Sequence, residues 1–143
     1  MLPNLSEWRI HGGFVSTLIV AVAGCATVDT AIVANRGAEF SLAVGKSATI
    51  SGTDYRITFN RVTEDSRCPV DVQCVWAGDA KIELAISRAN VPSDTRVISL
   101  TPPNSEVAVG DVKIRFVSLA PTPRQSEPPA SRAYVARLMA LAL

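Results

Sequence analysis

Residues 80–88, AKIELAISR, alternate without a break: Ala80, Ile82, Leu84 and Ile86 fall on one side, and Lys81, Glu83 and Ser87 on the other. Successive side chains leave a strand on opposite faces, so this period of two predicts a half-buried β-strand with its aliphatic side inward. The pattern repeats upstream. In YRITFN (55–60), Tyr55, Ile57 and Phe59 oppose Arg56, Thr58 and Asn60. In FSLAV (40–44), Phe40, Leu42 and Val44 alternate, and Gly45-Lys46 makes a two-residue turn into SATIS (47–51). Downstream, NVPSD (90–94) reads as a turn, TRVISL (95–100) as a strand and TPPNS (101–105) as its end. EVAVGDVKIRF (106–116) reads as a hairpin, with Gly110-Asp111 in a type II′ turn and Val112, Ile114 and Phe116 inward. Turns every eight to twelve residues and a period of two predict an all-β fold. We expect a single antiparallel β-sandwich or barrel-like domain, Ig-like in size, over residues 39–143.

Two stretches resist this rhythm. APTPRQSEPPAS (120–131) carries four prolines and reads as a rigid, irregular connection. RAYVARLMALAL (132–143) is rich in helix formers, yet Tyr134, Ala136 and Leu138 alternate. We read it as a last strand at a sheet edge.

Composition bounds the partners. The chain has 143 residues, 14 Lys+Arg against 13 Asp+Glu, a net charge of +1 and no basic cluster. Nucleic acid is therefore not an expected partner, since its phosphates demand clustered Lys and Arg.

The N-terminal residues 1–24 read as an export signal. After a polar start comes FVSTLIVAVAG (14–24), an uncharged run of eleven residues. As a helix it would rise only about 16 Å, roughly half the hydrocarbon thickness of a bilayer, so it is a signal segment and not a span. Val22-Ala23-Gly24-Cys25 resembles the lipobox of bacterial lipoproteins. That resemblance implies cleavage before Cys25, lipidation of its thiol and membrane attachment, with residues 25–38 as a tether. An ordinary secretory signal containing a cysteine is the alternative. Ala26 after the cysteine implies, by the sorting pattern of that family, the outer membrane.

VTEDSRCPVDVQCVWAGDA (62–80) is the chemically densest part of the chain. With Cys25 taken by lipid, Cys68 and Cys74 are an even pair in an oxidising compartment, which points to a disulfide. A redox-active pair is the rival reading, although C-x5-C around Pro69 lacks the usual C-x-x-C spacing. The single histidine, His11, lies in the signal, so the processed chain holds no His-based catalytic triad or His-ligated metal. No metal and no cofactor is expected. Calcium held by Glu64, Asp65, Asp71 and Asp79 is the residual metal reading, and these same carboxylates are the general acid and base of a residual hydrolase reading. Arg67, between Asp65 and Asp71, is expected to shape the loop through a bidentate surface ion pair, a contact usually worth less than about 1 kcal/mol. Trp76 shares its parity with Ala80 and Ile82, which predicts a ring packed over the disulfide at one end of the core. Its alternative is an exposed platform for a glycan.

Asp65-Ser66-Arg67-Cys68-Pro69 followed by Cys74-Val75-Trp76-Ala77-Gly78 resembles a group of uncharacterised bacterial secreted proteins and lipoproteins with DSRCP…C-x-W-x-G. The turn Leu42–Gly45 and the strand containing Tyr134 extend the resemblance. It implies a common fold and export, and no activity. The expected function is therefore a non-catalytic binding or accessory module, anchored through lipidated Cys25 in the cell envelope, with an envelope protein or a glycan as partner. A structural spacer or an inhibitor of another envelope protein is the alternative. Asp65, Arg67, Asp71, Trp76 and Asp79 are the candidate ligand or corner residues.

Overall fold

The computed structural model describes residues 31–89 and 91–143. The signal, the lipobox and Cys25 lie outside those residues. Among the described residues nine strands form: β1 (Ile32–Ala34), β2 (Glu39–Ala43), β3 (Ser47–Ile50), β4 (Tyr55–Asp65), β5 (Ala80–Arg88), β6 (Val91–Ser99), β7 (Glu106–Val109), β8 (Val112–Ala120) and β9 (Val135–Ala142). They build a sheet of order β1-β3-β4-β5-β6 and a sheet of order β2-β9-β8-β7, packed as a β-sandwich. Every pairing is antiparallel except β1 with β3.

The period of two is what the core consumes. Ala80, Ile82, Leu84 and Ile86 are buried while Lys81, Glu83, Ala85 and Ser87 are only partly covered. Ile57 and Phe59 from β4 and Ala136, Leu138 and Ala140 from β9 interleave with Leu42, Val112 and Ile114. Each large aliphatic or aromatic side chain so removed from water contributes about 1.5–3 kcal/mol. The C-terminal run is a strand because Ala136, Leu138 and Ala140 fill the inner face at 0% exposure, outweighing helix propensity. It lies between β2 and β8 rather than at the expected edge.

Four further expectations shift. Residues 32–34, inside the stretch read as a tether, form β1 and pair with β3. The expected turn into SATIS closes through Lys46 N–H donating to the Ala43 carbonyl, with Gly45 at φ 79°. It passes the chain from one sheet to the other and makes no hairpin. β6 begins at Val91, so most of NVPSD is strand; Pro92 is tolerated because β6 is an edge. The expected hairpin forms as β7 and β8, with Val109 opposite Val112 and Gly110 at φ 62°.

The registers place the connections. β4 ends at Asp65 opposite Ala80, the start of β5, and β8 ends at Ala120 opposite Val135, the start of β9. The connections 66–79, 100–105 and 121–134 therefore open at one pole of the sandwich, together with the turn 44–46. Connections 35–38, 51–54 and 110–111 lie at the other, as does residue 89 after β5.

Candidate functional site

The loop 66–79 continues the β4–β5 hairpin for two more rungs before it opens. Ser66 N–H donates to the Asp79 carbonyl (2.8 Å) and Cys68 N–H to the Ala77 carbonyl (3.0 Å). Between those rungs sits Gly78 at φ 70°. A Cβ there would lie 1.8 Å from the Ser66 carbonyl oxygen, so only glycine lets the two arms close. Beyond them Cys68 and Cys74 are joined in a disulfide. Val70 N–H reaches the Pro123 carbonyl (3.0 Å), and Asp71 Oδ1 accepts from Gln125 N–H (2.9 Å), which docks the loop onto the proline-rich connection.

Under this loop is a buried ion cluster. Asp65, with a side chain 3% exposed, receives Arg67 in bidentate fashion: Nε to Oδ1 at 2.7 Å and Nη2 to Oδ2 at 2.9 Å. The same Oδ2 accepts from the Tyr134 hydroxyl (2.8 Å) and from Arg132 Nη1 (3.3 Å). Arg67 also donates to the carbonyls of Leu119 and Pro121. Arg132 Nη2 donates to the carbonyls of Glu127 (2.6 Å) and Arg124 (3.2 Å), while its buried Nε has no partner among the described residues. One carboxylate thus ties the end of β4, the cysteine loop, the end of β8 and the proline-rich connection that leads into β9.

The electrostatics follow from that geometry. Burial pushes the Asp65 carboxyl up, but the hydrogen bonds from Arg67 and Tyr134 and the Arg67 charge outweigh it and hold its pKa below the ordinary carboxylate value. Burial, reinforced by the contact with Asp65, pushes the Tyr134 hydroxyl up. Asp79, where burial again opposes, is held low by hydrogen bonds from Ser99 and Thr101. Its Oδ1 accepts from both the N–H and the hydroxyl of Thr101 at 3.0 Å each, fixing the start of loop 100–105.

These positions correct two readings. Arg67 pairs with Asp65 and not with Asp71, which is occupied by Gln125. The Arg67–Asp65 pair is 12% and 3% exposed, so it is a buried tie and not a weak surface contact. Trp76 does not cover the core: it is 82% exposed, beside Val75 at 90% and with Val70 at 58% in the same loop. Sequence parity failed there because the β5 alternation starts at Ala80, and the loop before it is not strand.

Arg132 and Tyr134 were not expected at this site. They sit 67 and 69 residues from Asp65, and no local pattern links them. Glu64 is paired with Lys81 at the surface (2.7 Å). Among the described residues no three of His, Cys, Asp or Glu gather as a metal ion would require. Beside the cluster runs an open, mainly apolar groove of about 400 Å³, with Val44, Val62, Pro129, Ala130 and Tyr134 in its walls.

The pole therefore presents an exposed apolar tip on a cross-linked base. Set against known proteins, the chain matches no described family, no curated protein and no solved structure.

Proposed function

We propose that this β-sandwich is a non-catalytic binding module, exported and held in the bacterial cell envelope by lipid on Cys25, and that the tip Val75-Trp76 is its recognition element. The observation that carries the reading is Trp76 at 82% and Val75 at 90% exposure on the short arm held between Cys74 of the disulfide and the Cys68–Ala77 backbone rung. An exposed Trp is expensive to hold in water and useful against a partner: its face stacks on sugar rings or enters an apolar protein pocket. Rigidity adds to this, because a loop already ordered loses little entropy on binding.

The carboxylates that would serve a hydrolase are engaged otherwise. Asp65 is spent on two arginines and a tyrosine, Asp71 on Gln125, Asp79 on Thr101 and Glu64 on Lys81. Five residues separate Cys25 from Ala31, the first described residue, a reach of at most about 20 Å, so lipidation would keep the sandwich close to the bilayer. Ala26 supports the outer membrane as the site of anchoring.

Two measurements test this. Intact mass of the membrane-extracted protein should equal residues 25–143 plus acyl chains, less two hydrogens. Co-sedimentation with purified peptidoglycan sacculi, and photo-crosslinking from position 75 in intact envelopes, should both be compared with Trp76→Ala. A glycan partner requires loss of sedimentation in that variant, and a protein partner requires loss of a discrete adduct. If neither changes, the tip is not the recognition element.

A further inference from the structure

Among the described residues β6 is a free edge of the five-stranded sheet, and its residues Val91–Val97 are all exposed. Its register shows which backbone groups are unused. Leu100 N–H donates to the Ala80 carbonyl, toward β5, whereas Ser99 N–H donates to Asn104, away from β5. Peptide groups along an antiparallel strand turn to its two sides alternately. The pairing keeps step from Lys81↔Ser99 to Ile86↔Asp94. Residues 94, 96 and 98 therefore bond to β5, and Thr95 and Val97 turn N–H and C=O to the open side. Pro92 falls at the irregularity between Ile86 and Arg88, clear of that stretch.

We infer that this edge pairs with β6 of a second copy of the chain, antiparallel about a two-fold axis through Thr95. The two five-stranded sheets would then join into one of ten strands. Charge selects the register. Axes through residues 94, 95 and 96 all bring the free backbone groups face to face. An axis at 94 sets Asp94 against itself, and one at 96 sets Arg96 against itself. Only the axis at Thr95 sets Asp94 opposite Arg96, and does so twice, at non-hydrogen-bonded positions where Cα atoms approach to about 4.5 Å. Asp94 and Arg96 already lie on one face, 2.6 Å apart and 58% and 57% exposed, so the four charges would alternate in sign across the seam. Such a two-fold contact is self-complementary.

A single strand pair buries less than a stable dimer needs, so association is weak in dilute solution. Confinement to a membrane, which rests on the proposed lipidation, raises the effective concentration and favours it. The pairing itself does not depend on the anchor.

The full-length chain in membranes, carrying Thr95→Cys or Ser93→Cys, is oxidised with copper phenanthroline and run without reductant, with the unsubstituted chain as background. The axis at Thr95 brings the two 95 positions to about 5.5 Å, within disulfide range, and holds the two 93 positions about 13 Å apart. Thr95→Cys should give a cross-linked dimer and Ser93→Cys background only. In the Thr95→Cys chain, Asp94→Arg should cut the dimer several-fold and Asp94→Arg with Arg96→Asp should restore it. Background cross-linking at 95, equal cross-linking at 93 and 95, or no rescue by the double exchange would overturn the inference. If intact mass shows no acyl chain but Thr95→Cys still cross-links above background, the anchoring reading fails and this one stands.

Discussion

Replacing Asp65 with alanine removes the acceptor on which four elements converge. Arg67 and Arg132, with side chains 12% and 5% exposed, would be left facing each other without a counter-charge, and the Tyr134 hydroxyl would lose its acceptor. Breaking a buried ion pair from one side costs about 3–5 kcal/mol, because the remaining charge is desolvated and unpaired. A sandwich of about 110 residues unfolds with an entropy near 0.23 kcal/mol per kelvin, so this loss would lower Tm by roughly 13–22 °C. Thermal unfolding by circular dichroism and urea titration of the full chain, at neutral pH with the disulfide intact, reads both quantities. Glu64→Ala is the control, since its partner Lys81 lies at the surface, and it should leave Tm nearly unchanged. A loss under about 1 kcal/mol for Asp65→Ala would refute the cluster as the tie that holds the pole together.

Acid should act through the same carboxylate. The Asp65 pKa is lowered in the folded state, so its stabilisation is present above the unfolded value near 4 and is lost as pH falls through the folded value; Asp65→Asn should flatten the stability profile below about pH 5, measured by urea midpoints. Gly78→Ala would force a Cβ into the Ser66 carbonyl at positive φ, and should cost about 2 kcal/mol or more and free the loop, seen as faster amide exchange at Ser66 and Cys68. Cys68→Ser with Cys74→Ser opens a loop with a sequence separation of 6, a loss of about 2 kcal/mol of unfolding free energy on the chain-entropy account, read by urea titration. Trp76→Ala should change stability by no more than about 0.5 kcal/mol, because the ring is already in water; a loss of 3 kcal/mol would return it to the core.

The sandwich was legible wherever one face of a strand is buried and the other wet, because that contrast writes the period of two into the chain. AKIELAISR, YRITFN and the hairpin around Gly110 all have it. It fails where burial is one-sided in another sense. β1 has three residues, too few to show a period. β6 is exposed along Val91–Val97, so its first residues, 91–94, carry no alternation to set them apart from a turn, and only the part from Thr95 reads as strand. The disulfide could be read from counting cysteines. The partner of Arg67 could not, because Asp65 and Asp71 flank it in sequence and only the fold decides between them. Arg132 and Tyr134 belong to the corner through the β8–β9 register, which no local pattern encodes.

The division of labour between the two poles follows from strand length and connection length. At one pole the connections are two to four residues long and carry the surface ion pairs Arg36–Asp111 and Arg88–Asp54. At the other, the connections 66–79 and 121–134 have fourteen residues each, and free loops of that size are entropically costly to order. Here they are tied to each other through Val70 to Pro123 and Asp71 to Gln125, to the sheets through Asp65, and internally through the disulfide. A protein that needed these loops only as connections would gain nothing from such ties, since shorter turns would close the same strands. The ordering is worth its cost if something must be held in place at that pole, and the large apolar side chains most exposed there are Val75 and Trp76, ahead of Val70 and Val44. That is the physical argument for looking for the partner at the tip and not in the groove.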